Sequence, residues 1–259
     1  MKTNKTYELH QMDRSSGDPC ITAKRQFLPN ISLKKSEVKK SLNFAWEMTW
    51  GQLGEHRPNR SGGSQYRSNA MRFKDVVEGK CGEFAVRKFL VEKGHKPSEV
   101  DVADYSRGVW DDVDRTLNGK AINVKTMKHF SNLLLLEQKD YSKDGNYLGH
   151  TDSSKKYDIF FCARMRSSIQ EYFRSEGLNG RSFSSFMEFE SHFKALSRMN
   201  WELDLPGFAP LDLLKQAIQD KHIIARGEYL NGRTRMDATN IYIQSGDLLD
   251  VGLINDFVL

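Results

Sequence analysis

The sequence has few cysteines, no long apolar run and only a small excess of one charge, and each of these limits the kind of protein it encodes. Its three cysteines are odd in number and match no paired metal-ligand spacing, which argues against a disulfide framework and a zinc site and favours a reducing, cytoplasmic compartment. The longest apolar run, residues 133–136, is too short to span a bilayer, and the first ten residues lack the apolar run of a signal peptide. These absences predict a soluble protein with no membrane partner.

The length and charge of the chain permit one large domain with a basic surface. The 259 residues, of which 38% are hydrophobic, suffice for a core domain with an appended lobe. The net charge of +5 favours an acidic partner, although a basic excess of this size also serves solubility alone.

The order of the elements predicts an α/β fold with a central mixed β-sheet flanked by helices. Periodicity and turn signals indicate helices over residues 36–50, 73–93, 185–196 and 210–219, a hairpin over residues 108–126, and strands over residues 131–138, 157–165, 222–230 and 240–244. Residues 1–35 are polar and without a clear period, so we expect an arm or an irregular cover there, partly disordered, and a single domain over residues 36–259.

The hairpin can be aligned residue by residue, because Asn118-Gly119 suits a two-residue type I′ turn. In that register Asp114 faces Asn123 and Asp112 faces Lys125, and cross-strand partners share a face. One face of the hairpin then carries a polar cluster: Asp112, Asp114, Thr116, Asn123 and Lys125. The alternative interpretation is a solvated face with a cross-strand ion pair.

Three segments in this order resemble the PD-(D/E)xK nuclease superfamily, particularly the type II restriction endonucleases. GKCGEFAVRKFLVEKG resembles the helix with its glutamate, VWDDVDRTLNGKAINVKT resembles the metal-binding hairpin, and KKYDIFFCARM resembles the hydrophobic strand that follows. The likeness covers about a third of the chain. It implies a restriction-endonuclease-like sheet and Mg²⁺-dependent hydrolysis of the phosphodiester bonds of double-stranded DNA.

The resemblance assigns a role to each residue of the cluster. Asp114 would be the first acidic metal ligand, with Asp112 as the fallback, and Asn123 stands at the position of the second acid. Lys125 matches the lysine of the motif and would orient water or offset charge in the transition state. Glu83 would reach in from its helix as an accessory acid and metal ligand; the alternative for Glu83 is an exposed carboxylate paired with Arg87.

Asn123 departs from the family pattern, because an amide oxygen can ligate Mg²⁺ but brings no negative charge. Three explanations stay open: a natural variant that draws its second carboxylate from elsewhere, a degenerate site that only binds DNA, or a deliberate isosteric change from Asp to Asn that traps a DNA complex. The alternatives to a restriction enzyme are therefore a catalytically silent DNA-binding protein on the same fold and a repair or structure-specific nuclease.

Two basic segments are candidates for DNA contacts, because arginine can donate two hydrogen bonds to one phosphate or guanine edge. The first is a flexible basic loop just before the glutamate helix and comprises Arg57, Arg60, Arg67 and Arg72. The second lies near the C-terminus and comprises Arg226, Tyr229, Asn231, Arg233 and Arg235. The alternative for each is a solvated surface side chain. Cutting both strands of a symmetric site would suit a homodimer.

Overall fold

The computed structural model describes residues 6–51, 67–103, 115–148 and 156–258, and everything below concerns these residues. The helices are α1 (Lys35–Thr49), α2 (Asn69–Glu92), α3 (Ile169–Ser175), α4 (Phe186–Leu196), α5 (Leu211–Gln219) and α6 (Asn255–Val258). The strands are β1 (Ile31–Ser32), β2 (Arg115–Leu117), β3 (Lys120–Lys128), β4 (Leu133–Glu137), β5 (Ile159–Ser167), β6 (Trp201–Pro210), β7 (Ile223–Ile224), β8 (Tyr229–Leu230), β9 (Thr234–Arg235) and β10 (Asn240–Gln244). Short 3₁₀ helices cover Gln138–Asp140, Leu178–Gly180 and Val251–Ile254.

A five-stranded mixed sheet with the order β1-β6-β5-β3-β2 forms the centre of the protein. Only the β3–β5 pair is parallel; the other neighbours in this sheet are antiparallel. Helices flank the sheet, which confirms the predicted α/β class with a central mixed sheet. Two smaller sheets accompany it, β4-β10-β7 and the β8–β9 hairpin.

The two faces of the central sheet are covered differently, and the alternation of side chains along β3 and β5 assigns each residue to one of them. The α2 face packs Ile122 and Phe161 against Val86 and Leu90 of α2. The α5 face packs Phe160 and Cys162 against α5 and against the inward side chains of β4 and β10. We use these two names below.

Helix α2 approaches the α2 face of β3 closely, since a Cβ atom at Gly82 would overlap the Thr126 hydroxyl. One turn earlier Glu78 forms an ion pair with Lys128 at the end of β3. Burial raises the pKa of Glu78, and the charge of Lys128 acts in the opposite direction. Gly82 therefore sets the distance between the helix and the strand.

Apart from β1, residues 6–34 form an irregular cover that contributes to the core, which is one of the two expected forms of this segment, and not a disordered arm. Tyr7 and Met12 are buried. The Arg164 guanidinium, almost fully buried on β5, donates to both carboxylate oxygens of Asp204, at 2.9 and 2.6 Å, and to the carbonyl oxygens of Arg25 and Gln26. One buried cation thus holds the segment against β5 and β6.

Strand β6 was not predicted, because Pro206-Gly207 in its middle signals a turn. In the structure Cys162 pairs with Gly207 and Arg164 pairs with Asp204, so Leu205 and Pro206 face the single residue between the two β5 positions. This is a β-bulge, a place where proline does not interrupt the ladder. The predicted strand over residues 222–230 is likewise divided into β7 and β8.

The helix boundaries agree with their capping chemistry. Ser68 accepts a hydrogen bond from Met71 N at 3.3 Å, so α2 begins four residues before the predicted start. Helix α1 begins at Lys35, one residue before the predicted start, and Glu37 accepts a hydrogen bond from Lys34 N at 2.7 Å. Gly94 follows the end of α2 at a φ of 85°, a conformation that glycine adopts readily. No described helix has the length and apolar character needed to cross a membrane.

Replacing Gly82 with alanine should destabilise the protein, because the added methyl group would force α2 away from Thr126. Overpacking of this kind costs about 1–3 kcal/mol. Gly79→Ala is the matched control, since a Cβ atom there meets nothing within 4 Å and alanine favours a helix by up to about 1 kcal/mol. Urea unfolding of both variants checks this; equal stabilities would contradict the close approach.

Candidate functional site

The hairpin of β2 and β3 has the register that the sequence predicts. Arg115 pairs with Ile122, Thr116 with Ala121 and Leu117 with Lys120. Asn118 and Gly119 adopt positive φ angles of 49° and 76°, as a type I′ turn requires. The Asn118 amide also donates to the carbonyl oxygen of Val258 at 2.9 Å, which fixes the turn to the end of α6.

Asn123 and Lys125 lie on the α5 face of β3, opposite Phe160 and Cys162 of β5. Asn123 is 5% exposed, and among the described residues its buried Oδ1 atom has no hydrogen-bond partner. A buried acceptor without a partner costs about 1–3 kcal/mol and is uncommon unless a ligand, ion or water completes it. The Thr126 hydroxyl of the same strand is in the same situation but faces Gly82 of α2, so the Asn123 oxygen is the one that lies on the face of Lys125.

Lys125 is half-buried two residues further along the same face. In the part of the chain that the structure describes, its ammonium group forms no hydrogen bond and no ion pair. Burial raises the pKa of the Cys162 thiol to about 12, and the positive charges of Arg164 and Lys125 both act to lower it. The charge of Lys125 is therefore felt at a buried group of the neighbouring strand. An uncompensated ammonium beside an uncompensated oxygen suits an anionic ligand together with a cation.

Glu83 is not brought onto the face that carries Asn123 and Lys125. It lies on α2, which packs on the opposite face of β3, and it is 7% exposed. Its carboxylate pairs with Lys80 at 2.9 Å, and Lys80 lies 4.8 Å from the Phe44 ring centroid. The alternative of an exposed pair with Arg87 is wrong, and the metal-binding role of Glu83 stays a prediction.

The two candidates for a first acidic ligand are not among the described residues. Asp112 and Asp114 lie outside the described residues, as do Arg57 and Arg60. Among the described residues no three His, Cys, Asp or Glu side chains cluster as a metal site would require. The amide oxygen of Asn123 is a hard donor of the type that Mg²⁺ accepts, so this position fits the ion chemically while supplying no charge.

The arginines at the start of α2 are engaged with the protein itself. Arg67 forms an ion pair with Asp75 at 3.1 Å, and Arg72 is half-buried in the first turn of the helix. Their predicted role in DNA binding is untested.

The C-terminal segment forms the β8–β9 hairpin, in which Arg226, Tyr229, Arg233 and Arg235 are exposed. Asn231 differs from these four, because the structure uses it to hold the turn. It adopts a φ of 51°, its backbone N–H donates to the Pro19 carbonyl oxygen at 2.9 Å, and its Oδ1 accepts from Ile21 N at 3.0 Å. Asparagine tolerates this left-handed conformation better than most residues. Its observed contacts are structural, and a contact with DNA stays a prediction.

Comparison of the chain with known protein families, with curated proteins and with solved structures found no match in any of the three. Its function must therefore be argued from its own residues.

The contact of Asn231 with the N-terminal segment makes a prediction about local opening. Asn231→Gly keeps the positive φ and Asn231→Ala strains it, but both remove the acceptor of Ile21 N. Both variants should speed amide hydrogen exchange in a peptide containing Ile21, and Asn231→Ala should also lose about 1–2 kcal/mol relative to Asn231→Gly. Asn200→Ala, at an exposed site, is the control. An unchanged exchange rate at Ile21 would show that the hydrogen bond to Asn231 does not stabilise the N-terminal segment.

Proposed function

We propose that this protein is a sequence-specific, Mg²⁺-dependent endonuclease of double-stranded DNA, of the type II restriction class. The observation that carries the proposal is that two groups lie on the same face of β3: the Asn123 Oδ1, buried without a hydrogen-bond partner among the described residues, and the Lys125 ammonium. The spacing of these two residues matches the second acid and the lysine of the motif that the sequence resembles. A net charge of +5 is compatible with a polyanionic substrate.

In the proposed reaction, the Mg²⁺ ion and the side chain of Lys125 have different roles. Mg²⁺, held by Asn123 Oδ1 and by the carboxylate of Asp114 or Asp112, would neutralise charge on the scissile phosphate and lower the pKa of the attacking water. Lys125 would hold that water or a phosphate oxygen by an N–H donor and stabilise the negative charge that develops in the transition state. Because Asn123 is neutral, this chain should bind the ion weakly and cut slowly.

The assembly and specificity form part of the same proposal. A two-fold homodimer would place one site on each strand of a symmetric sequence. A cytoplasmic location would suit such an enzyme, and the three cysteines are indeed unpaired.

Removal of the Lys125 ammonium tests the assignment. We expect Lys125→Ala, made in the most active form of the chain, to reduce Mg²⁺-dependent cleavage by roughly a hundred-fold or more, as expected for a lost transition-state contact. Lys120→Ala is the matched control, because Lys120 lies on the same strand in an exposed position on the other face. Circular dichroism verifies that both variants fold. Full activity of Lys125→Ala would remove the basis of the proposed site.

Restoring the acid tests the role of Asn123. A large phage DNA is digested in the presence of Mg²⁺ by the unaltered chain, by Asn123→Asp and by Asn123→Asp combined with Asp114→Ala. Discrete bands from Asn123→Asp, lost in the double variant, are expected, because a carboxylate restores the charge that holds the ion. Bands from the unaltered chain would mean that the amide is tolerated. Intact DNA in all digests would favour the catalytically silent DNA-binding protein, and a smear would favour a nuclease without sequence specificity.

A further inference from the structure

The β8–β9 hairpin presents two different sides. Tyr229 pairs with Arg235 and Leu230 pairs with Thr234, so each pair shares a side of the hairpin. Leu230 and Met236 pack into the protein beneath the hairpin. Tyr229, 45% exposed, and Arg235 therefore point outward side by side.

The cations of this hairpin have no counter-ions within the described residues. Arg226, Arg233 and Arg235 are exposed and form no ion pair there. Three acids lie nearby. Glu228 is already occupied, because it binds the Arg14 guanidinium and accepts from Ala225 N at 2.6 Å. Asp18 lies next to Gly232 and Asp237 is exposed two residues beyond Arg235, and within the described residues neither forms an ion pair with the three arginines. The ion pair with Arg14 and the hydrogen bond to Asn231 also hold the hairpin against the N-terminal segment. The three arginines therefore extend from a hairpin whose backbone is fixed in place.

The hairpin and the proposed catalytic residues belong to different layers. Leu230 and Met236 contact the side of the β4-β10-β7 sheet that carries Leu133 and Tyr242. The opposite side of that sheet, with Leu134 and Ile243, packs toward the α5 face, where Asn123 and Lys125 lie. Because the β4-β10-β7 sheet lies between the hairpin and these two residues, the hairpin would contact a ligand at a site separate from Asn123 and Lys125.

We infer that this hairpin is a binding surface for the phosphate backbone of duplex DNA. Arg226, Arg233 and Arg235 supply the charge, and Tyr229 supplies an exposed hydroxyl beside Arg235. Arginines that have no counter-ion and lie on a fixed hairpin can neutralise phosphates without a rearrangement of the backbone. Contacts of this kind position the DNA but do not read its sequence. The inference rests on DNA as the substrate of the proposed function, but it does not depend on hydrolysis.

Binding of a 30-base-pair fluorescent duplex of mixed sequence, followed by anisotropy in EDTA over a range of salt concentrations, tests this surface. The variants are Arg226→Ala, Arg233→Ala and Arg235→Ala, singly and together, and Tyr229→Phe. The control is Arg198→Ala, at an exposed arginine beyond α4 that the inference does not use. Each arginine that contacts a phosphate should reduce the slope of log K against log [salt] by about one, and the triple variant should bind several-fold more weakly.

The possible outcomes distinguish this inference from the proposed function. A slope that falls by two or more in the triple variant and not in Arg198→Ala supports the surface, even if no form of the chain cuts DNA. An unchanged slope in the triple variant overturns the surface, even if the chain cuts DNA. No duplex binding by the unaltered chain at low salt overturns it as well, and so does hairpin-dependent binding to phosphatidylserine vesicles in place of DNA.

Discussion

β3 is paired on both sides, in antiparallel fashion with β2 and in parallel with β5, and this double pairing fixes which side chains enter which layer. A shift of one residue would turn Asn123 and Lys125 from the α5 face to the α2 face and would bury the wrong set of residues on each. The Asn118-Gly119 turn and the Gly82 contact with Thr126 both oppose such a shift. The candidate site depends on this register, because the register places both side chains on the α5 face.

Most buried charges among the described residues are compensated. Arg164 is matched by Asp204 and by two backbone carbonyl oxygens, and Glu83 is matched by Lys80. Compensation of this kind is what burial in a medium of low dielectric requires. On β3 the oxygen of Asn123 and the hydroxyl of Thr126 depart from it, since neither has a hydrogen-bond partner in the described part of the chain. Of the two, Asn123 lies on the face of Lys125, where a bound ion and phosphate would complete what these residues leave open.

Local sequence signals predicted the parts of the fold that local chemistry determines. The hairpin register follows from one Asn-Gly dipeptide, and the buried strand β5 follows from its continuous apolar run. The bulge at Pro206 could not be predicted, because it depends on the pairing of β6 with β5. Glu83 could pair with a cation on either side of it, and only the packing of α2 selects Lys80. The role of Asn231 depends on Pro19 and Ile21, about 210 residues away in sequence.

Calorimetric titration with Mg²⁺ tests whether Asn123 occupies the place of a metal-binding acid. The unaltered chain is compared with Asn123→Asp, and the titration is repeated on Asn123→Asp carrying Asp114→Asn. We expect Asn123→Asp to bind Mg²⁺ roughly ten-fold or more tightly than the unaltered chain, because a carboxylate adds the missing charge, and we expect the second change to remove this gain. Equal, weak binding by all three proteins would show that position 123 is not a metal-binding position.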